Sequence, residues 1–379
     1  MEDRVKEFLK ARKEDGAFRA LTHISSRNEV EIEIKGCRYI DFSSNNYLGL
    51  SSHPALVEAA KTALDKYGVG SLGSRLLSGS FNIHDELETK TAEFKQKECS
   101  LVFNTGYQAN VGIISALCGK EDLVLSDRLS HASIIDGAQL SGASHFRFRH
   151  NDMQHLEDIL KRHRKNFRHA LIITESVFSM DGDLAPLEDL ARIKNKYNAL
   201  LFVDEAHATG VFGKTGAGLV EQEKLSEETD LIMGTFSKAL GSFGAYLACS
   251  RNFKNYLINT CRSFIYSTSL PPAVAAADLA AIDVVKKERR RGRVLLENSS
   301  YFRSLLREKG LKVLGNSQIV PVVVGENADA VELSNALKKN GFWALPIRHP
   351  TVPKGSARLR FSLNYGHSRE MLKRVAEVL

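Results

Sequence analysis

The segment LLFVDEAHATGVFG, residues 200–213, decides the fold class. It begins with an apolar run typical of a buried strand and places Asp204 and His207 directly after that run. Further along, MGTFSKALGSFGAYL, residues 233–247, places Lys238 among small and hydroxylated residues. Parallel sheets have such continuous apolar strands, and they bind ligands beyond the carboxyl ends of those strands. The two segments therefore predict an α/β fold with a polar site at one edge of its sheet.

The combination of Asp204 and Lys238 predicts a site for pyridoxal phosphate (PLP). A lysine amine holds this cofactor as a Schiff base, and an aspartate pairs with its pyridinium nitrogen. An opposite charge at close range favours the protonated ring by roughly 1–3 pKa units. We therefore expect an enzyme that acts at the α-carbon of an amino acid. The plainer alternatives are an exposed lysine at a helix start and an aspartate in a turn.

Composition limits the remaining possibilities. The 379 residues include no apolar run long enough to span a membrane, and the first 16 lack the apolar core of a signal peptide. The five cysteines are scattered, so we expect no disulfide framework, no metal site and a cytoplasmic location. The net charge of +7 accompanies no nucleic-acid motif. The basic run at residues 286–293 is either a solvated helix face or a surface for coenzyme A phosphates or an acidic carrier protein.

Apolar runs and helical segments alternate through the middle of the chain. The predicted strands are SLVFNTG (100–106), DLVLSD (122–127), HFRFRH (145–150), ALIITESVFS (170–179), ALLFVDE (199–205), LIMGTFS (231–237) and AYLACS (245–250). This alternation predicts a mostly parallel central sheet covered by helices on both faces. We expect an N-terminal arm with a helix and a short hairpin (1–45), a large domain (46–270) and a smaller α+β C-terminal domain (271–379).

Eight motifs carry a resemblance to a known family. They are DFSSNNYLGL (41–50), GSLGSRLLSGS (70–80), DRLSHASIIDGA (127–138), SVFSMDGD (176–183), VDEAHATGVFG (203–213), TFSKALG (235–241), YSTSLPP (266–272) and RHPTVPKGSARLRFSL (348–363). Together they make the chain resemble the α-oxoamine synthases, which are PLP-dependent transferases of fold type I. The resemblance implies that Lys238 forms the Schiff base and that Asp204 pairs with the ring nitrogen. It implies that His207 contacts the phenolic oxygen and that His131 stacks on the ring.

The cofactor phosphate needs backbone amides and hydroxyls, which a helix N-terminus can supply. The segment NTGYQAN, residues 104–110, offers such a start before a helical run. The resemblance implies that Gly106 and Tyr107 give amides and that Thr235 gives a hydroxyl. It also brings Ser179 to the cofactor and Thr268 to the phosphate of the neighbouring subunit. The expected protein is therefore a homodimer with shared active sites.

The substrate residues are also assigned by resemblance. A carboxylate beside the α-carbon calls for a bidentate arginine. The resemblance gives this role to Arg360, with Asn45 nearby. Arg358, two residues away, is expected on the opposite face if this segment is a strand, and therefore to be structural. The other substrate-binding positions are Arg19, His131, Arg348 and Thr351. The loop that contains Arg348 departs from the usual pattern because His349 replaces a proline, which puts acyl-chain selection in question.

The resemblance is strongest to members that join L-alanine to a pimeloyl thioester, with loss of CO2, in biotin biosynthesis. The acyl donor can be pimeloyl-CoA or a pimeloyl-carrier protein. Two alternatives use the same cofactor residues: condensation of glycine with acetyl-CoA, and condensation of serine with a long-chain acyl-CoA. A scaffold protein without activity is a further alternative, but it would be expected to have lost Lys238.

Overall fold

The computed structural model describes residues 1–379 and contains fourteen α-helices and fourteen β-strands. The helices are α1 Glu2–Glu14, α2 Pro54–Tyr67, α3 Asn82–Phe94, α4 Gly106–Leu117, α5 Ala132–Ser141, α6 Met153–His163, α7 Leu187–Lys196, α8 Leu219–Gln222, α9 Arg251–Thr260, α10 Arg262–Ile265, α11 Pro272–Lys287, α12 Arg290–Glu308, α13 Asn327–Lys339 and α14 Arg369–Val378. The strands are β1 Ser26–Arg27, β2 Glu31–Ile34, β3 Cys37–Asp41, β4 Cys99–Phe103, β5 Leu123–Asp127, β6 Ser144–Phe148, β7 Ala170–Glu175, β8 Leu200–Asp204, β9 Leu231–Thr235, β10 Ala245–Cys249, β11 Ile319–Gly325, β12 Phe342–Trp343, β13 Pro346–Ile347 and β14 Ala357–Ser362. No helix combines the length and the apolar composition that a membrane span requires.

The chain divides into two units. The larger unit comprises Leu48–Ser179 and Leu184–Arg293, and the smaller unit comprises Met1–Tyr47, Met180–Asp183 and Val294–Leu379. The sequence-based division differs at α11, which it assigns to the C-terminal domain. In the structure α11 packs on α2 and α3 and so lies in the larger unit.

The larger unit is built on a seven-stranded sheet in the order β4-β10-β9-β8-β7-β5-β6. Strands β9, β8, β7, β5 and β6 are parallel to one another, whereas β10 runs antiparallel to both β4 and β9. The predicted α/β fold with a mostly parallel sheet is therefore confirmed. Every residue of β4, β5, β7, β9 and β10 is buried, which explains why these strands are continuous apolar runs in the sequence.

Helices cover this sheet through apolar side chains. Ile113 and Ile114 of α4 and Ile134 of α5 share one buried cluster with Val124 of β5 and Leu171 of β7. The helices start and stop where local chemistry favours it. Helix α2, for example, begins with a proline at its first position and ends before Gly68, which has φ of 75°.

The smaller unit contains two sheets, β1-β2-β3-β12 and β11-β14-β13. Strands β2 and β3 form the predicted hairpin around Gly36. Phe42 lies at the centre of its core, with its ring centroid 5.6 Å from that of Phe361 and 4.2 Å from that of His367. Burial lowers the pKa of His367 to about 3, so this histidine is neutral and belongs to the core.

Two helices follow one another after residue 271. Helix α11 ends at Lys287, and α12 begins at Arg290 and continues to Glu308. The second helix was not recognised from the sequence, although Leu295, Phe302 and Leu306 are buried at helical spacing along it.

Candidate active site

A cavity of about 210 Å³ lies within the larger unit, at the carboxyl ends of β7, β8 and β9. The residues that line it are Gly106, Tyr107, Asn110, His131, Ser133, Glu175, Asp204, Ala206, His207, Met233, Thr235, Ser237 and Lys238. Seven of the nine predicted cofactor residues are in this set. Residues separated by more than a hundred positions therefore meet at one edge of the sheet, as parallel topology requires.

Lys238 lies in the loop between β9 and β10. Its Nζ is 3.0 Å from His207 Nε2, and the lysine is half-buried. His207 follows β8 by three residues and is 6 % exposed. The structure thus brings together the predicted Schiff-base lysine and the histidine predicted beside the phenolic oxygen of the cofactor.

Asp204 ends β8 and is 5 % exposed. Its Oδ2 accepts a hydrogen bond from Asn110 Nδ2 at 2.9 Å, and its Oδ1 accepts one from the Ala206 amide at 2.9 Å. A carboxylate held in this way by two donors has a fixed orientation and a buried negative charge. It fits the predicted partner of a protonated ring nitrogen.

His131 precedes the first residue of α5 and caps that helix. Its Nδ1 accepts a hydrogen bond from the Ser133 amide at 3.3 Å and lies 2.8 Å from Ser133 Oγ. Burial lowers the pKa of His131. The positive charge of Lys238 lowers it further, whereas the negative charge of Asp204 opposes the shift. Because Nδ1 is an acceptor, the neutral ring carries its proton on Nε2. A neutral imidazole can stack on a cationic pyridine ring without charge repulsion.

The N-terminus of α4 offers the predicted phosphate cradle. Thr105 caps the helix, with Oγ1 accepting from the Gln108 amide at 3.1 Å, and Gly106 and Tyr107 are its first two residues. Amides at such positions have no partner within the helix and favour anions. The donor set of this cavity therefore fits PLP: a buried carboxylate, a lysine amine and a helix N-terminus.

The hydroxyl of Thr235 already has partners in the protein. Thr235 Oγ1 donates to the Gly244 carbonyl at 2.7 Å and lies 2.6 Å from Ser237 Oγ. Ser237 is exposed and lines the same cavity, and it was not singled out from the sequence. Its hydroxyl is an additional candidate donor for the phosphate, beside the predicted role of Thr235.

Two predicted cofactor residues, Ser179 and Thr268, do not line the cavity. Ser179 is the last residue of the first segment of the larger unit. The Thr268 carbonyl accepts a hydrogen bond from Asn104 Nδ2 at 2.7 Å, directly before the α4 start. The contacts predicted for Ser179 with the cofactor, and for Thr268 with a neighbouring subunit, stay predictions.

In the smaller unit, the structure brings Arg360 and Asn45 together as expected. Both terminal nitrogens of Arg360 lie 3.3 Å from Asn45 Oδ1, and Nη1 donates to Ser362 Oγ at 2.6 Å. Arg360 is 8 % exposed. The expectation that Arg358 lies on the opposite face from Arg360 is wrong, because residues two apart in β14 share a face. Arg358 pairs with Asp181. This ion pair agrees with the structural role expected of Arg358.

The remaining predicted substrate residues form a second group in the smaller unit. Arg19 Nη2 donates to Thr351 Oγ1 at 3.0 Å, and Arg348 donates to the Gly16 carbonyl. His349, the residue that replaces a proline, lines a separate cavity of about 1320 Å³ beside α1 and α13. The assignment of Arg19, Arg348 and Thr351 to substrate binding stays a prediction.

The fold and the cavity define a PLP-dependent enzyme of fold type I. Residues 38–379 match the aminotransferase class I and II family. The chain belongs to this family and, within it, to the α-oxoamine synthases.

Curated relatives support this placement over nearly the full length. The chain is 48 % identical to the 8-amino-7-oxononanoate synthase of Geobacter sulfurreducens, over 98 % of this chain and 95 % of the relative. It is 44 % identical to the protein of the same name from Alkaliphilus oremlandii, over 98 % and 95 %.

Solved structures agree on the fold. A serine palmitoyltransferase of S. paucimobilis, with PLP and myriocin bound, superposes with a TM-score of 0.94 at 32 % identity, over 99 % of this chain and 96 % of that one. The 8-amino-7-oxononanoate synthase of Francisella tularensis gives a TM-score of 0.79 at 31 % identity, over 90 % and 96 %.

Proposed function

We propose that the protein condenses L-alanine with a pimeloyl thioester to give 8-amino-7-oxononanoate, CO2 and a free thiol, a step of biotin biosynthesis. The α-carbon of alanine bonds to the thioester carbonyl carbon, the thiol leaves, and the alanine carboxyl group is lost as CO2. The observation that carries the proposal is the cavity in which Lys238, His207 and Asp204 converge. Identity of 42–48 % to relatives named for this activity supports the choice of substrates.

When bound, PLP supplies a conjugated ring that delocalises negative charge developing at the alanine α-carbon. Asp204 keeps the ring nitrogen protonated, since its buried carboxylate is oriented by Asn110 and the Ala206 amide. His131 would cover the ring, and the first amides of α4 would bind the phosphate. These residues orient the reacting carbon before any proton moves.

Lys238 is the general base in this proposal. Its amine takes the proton from the alanine α-carbon and returns a proton to the same carbon after CO2 is lost. The contact of 3.0 Å between Lys238 Nζ and His207 Nε2 holds the amine in the cavity. Arg360 and Asn45 bind the alanine carboxylate, which a guanidinium can contact through two parallel hydrogen bonds.

A substrate panel tests this proposal. The holoenzyme is incubated with L-alanine, glycine or L-serine, each with pimeloyl-CoA, acetyl-CoA or palmitoyl-CoA, while thiol and CO2 release are measured. We expect stoichiometric release of both only with alanine and pimeloyl-CoA. Thiol release without CO2 from glycine and acetyl-CoA would reassign the chain to a 2-amino-3-ketobutyrate ligase activity, because that product keeps the glycine carboxylate. Release with serine and palmitoyl-CoA would reassign it to a serine palmitoyltransferase activity, the candidate supported by the TM-score of 0.94.

The assembly in this proposal is a homodimer in which Thr268 reaches the partner's cofactor phosphate. Leu72 is 92 % exposed, Leu77 is 81 % exposed and Tyr266 is 72 % exposed, and together they offer apolar surface for an interface. Ser269 joins the two segments that carry them, because its amide donates to the Gly73 carbonyl at 3.0 Å. A monomeric mass in light scattering would contradict the dimer.

The proposed location is the cytoplasm, since all five cysteines are free, as is usual in a reducing compartment. The acyl donor is pimeloyl-CoA or a pimeloyl-carrier protein. The panel is therefore repeated with a pimeloyl-carrier protein, and the ratio of the two kcat/KM values identifies the preferred donor.

A further inference from the structure

Five residues at the cavity are linked in a closed circuit by side-chain hydrogen bonds, one main-chain amide and one strand pairing. Asn110 Nδ2 donates to Asp204 Oδ2 at 2.9 Å and to Ser133 Oγ at 3.0 Å. Ser133 Oγ lies 2.8 Å from His131 Nδ1, and the His131 amide donates to Glu175 Oε1 at 2.6 Å. Glu175 and Asp204 are directly paired on β7 and β8, which closes the circuit. The histidine proposed to cover the ring is thus tied to the aspartate proposed beneath its nitrogen.

Glu175 is the member of this circuit that no role yet explains. It ends β7, is 3 % exposed and lines the cavity, yet it was not selected from the sequence. The His131 amide cannot find a partner in α5, because residues before the first helical turn have no intrahelical acceptor. Glu175 Oε1 provides that acceptor across a separation of 44 residues.

We propose that Glu175 is a positioning residue, whose carboxyl oxygen holds the main chain at His131 and so fixes the imidazole over the PLP ring. The inference rests on the proposed role of His131. It does not depend on which amino acid or acyl thioester the enzyme uses. PLP binding therefore tests it separately from the substrate panel.

The role requires an acceptor oxygen and not a negative charge. Burial raises the pKa of Glu175, and the charges of Asp204 and Asp127 raise it further, while Lys238 and the His131 amide lower it. A protonated carboxyl group still presents a carbonyl oxygen to the His131 amide. Glutamine keeps this oxygen at the same distance from the backbone, aspartate withdraws it by one methylene, and leucine removes it.

The experiment measures the dissociation constant of PLP for the apoenzyme by titration, following the absorbance of the lysine-bound cofactor. We expect Glu175→Leu to weaken PLP binding by about 5- to 150-fold, equivalent to roughly 1–3 kcal/mol, because loss of the acceptor frees the main chain at His131 and displaces its imidazole from the ring. Glu175→Gln should stay within about threefold of the wild type. Glu188→Leu, at an exposed glutamate, is the matched control and should leave the constant unchanged.

A double-mutant cycle separates positioning from general support of the fold. In a His131→Ala background, Glu175→Leu should add less than about twofold, because the residue it positions is gone. Equal weakening in both backgrounds would overturn the proposal, as would a Glu175→Gln protein that binds PLP as poorly as Glu175→Leu. If Glu175→Leu does not fold, the PLP dissociation constants of Glu175→Asp and Glu175→Gln are compared instead. Equal PLP binding by these two variants overturns the proposal, and weaker binding by Glu175→Asp supports it.

Discussion

Replacing Lys95 by Met tests whether a buried ion pair stabilises the loop that carries His207. The side chain of Lys95 is 1 % exposed, and that of its partner Glu205 is 0 % exposed. Lys95 Nζ donates to Glu205 Oε2 and to the Ala217 carbonyl, while Glu205 Oε1 accepts from the Val220 amide at 2.9 Å. The pair therefore ties the start of the loop, directly after Asp204, to its end.

Removing one partner of a buried ion pair destabilises a protein by about 3–5 kcal/mol, because the other charge is left without compensation. Burial lowers the pKa of Lys95, but Glu205 and Tyr246 raise it above its usual value on balance. Below the ordinary lysine pKa, the Lys95–Glu205 pair therefore contributes fully to the unfolding free energy of the wild type. This contribution is lost as pH rises through the pKa of Lys95 in the folded protein. The variant Lys95→Met should lose about 3–5 kcal/mol of unfolding free energy at pH 8.

The assay is urea unfolding followed by circular dichroism at pH 8, with saturating PLP.

Two further variants make the result decisive. The double variant Lys95→Met with Glu205→Gln removes both charges and should be more stable than Lys95→Met alone. Lys214→Met, at an exposed lysine, should stay within about 0.5 kcal/mol of the wild type. A loss below about 1 kcal/mol for Lys95→Met at pH 8 would refute the reasoning, as would a double variant no more stable than the single one.

Three predictions concern the reaction. Lys238→Ala should lower thiol release by at least about 10²–10⁴-fold and abolish the absorbance of lysine-bound PLP. The control Lys214→Ala should change neither quantity. Substantial turnover by Lys238→Ala would contradict the assignment of Lys238 as the general base. Arg360→Lys should raise the KM for L-alanine by about 10- to 100-fold, because the bidentate contact with the carboxylate is lost, and should leave PLP affinity unchanged. A change confined to PLP affinity would contradict the role of Arg360 in substrate binding. The double variant Arg289→Glu with Arg290→Glu should raise the KM for the acyl donor at low salt and not at high salt. An effect independent of salt would contradict binding of the acyl donor at this basic surface.

The strands could be predicted because buried strands consist mainly of apolar residues. Strands β8 and β9 have buried interiors on both faces, so each is a continuous apolar run that ends abruptly at polar residues. The meeting of Lys238 with His207 followed from that topology, since parallel strands end at a common edge. The pairing of Arg360 with Asn45 came from the resemblance alone, because no local pattern connects residues 315 positions apart.

What could not be predicted depends on side-chain contacts between distant segments. Asn110 is an ordinary helix residue in the sequence, and only the tertiary packing of α4 brings it to Ser133 of α5 and to Asp204 of β8. The basic run at residues 286–293 is a second example. Arg291 pairs with Glu288 and donates to the Leu48 carbonyl at 3.0 Å, so it belongs to the fold and not to an exposed basic surface.

The reversed direction of β10 restricts how Lys238 can move. Because β9 and β10 are antiparallel neighbours, the nine residues between them return within the same sheet, without a helical crossover. The Phe236 amide donates to the Gly244 carbonyl at 3.0 Å, so the ends of this loop are joined, and the Gly241 amide donates to the Lys238 carbonyl at 3.0 Å. These hydrogen bonds restrain the main chain at Lys238. Its amine can therefore change partners by rotation about side-chain bonds, without opening of the loop.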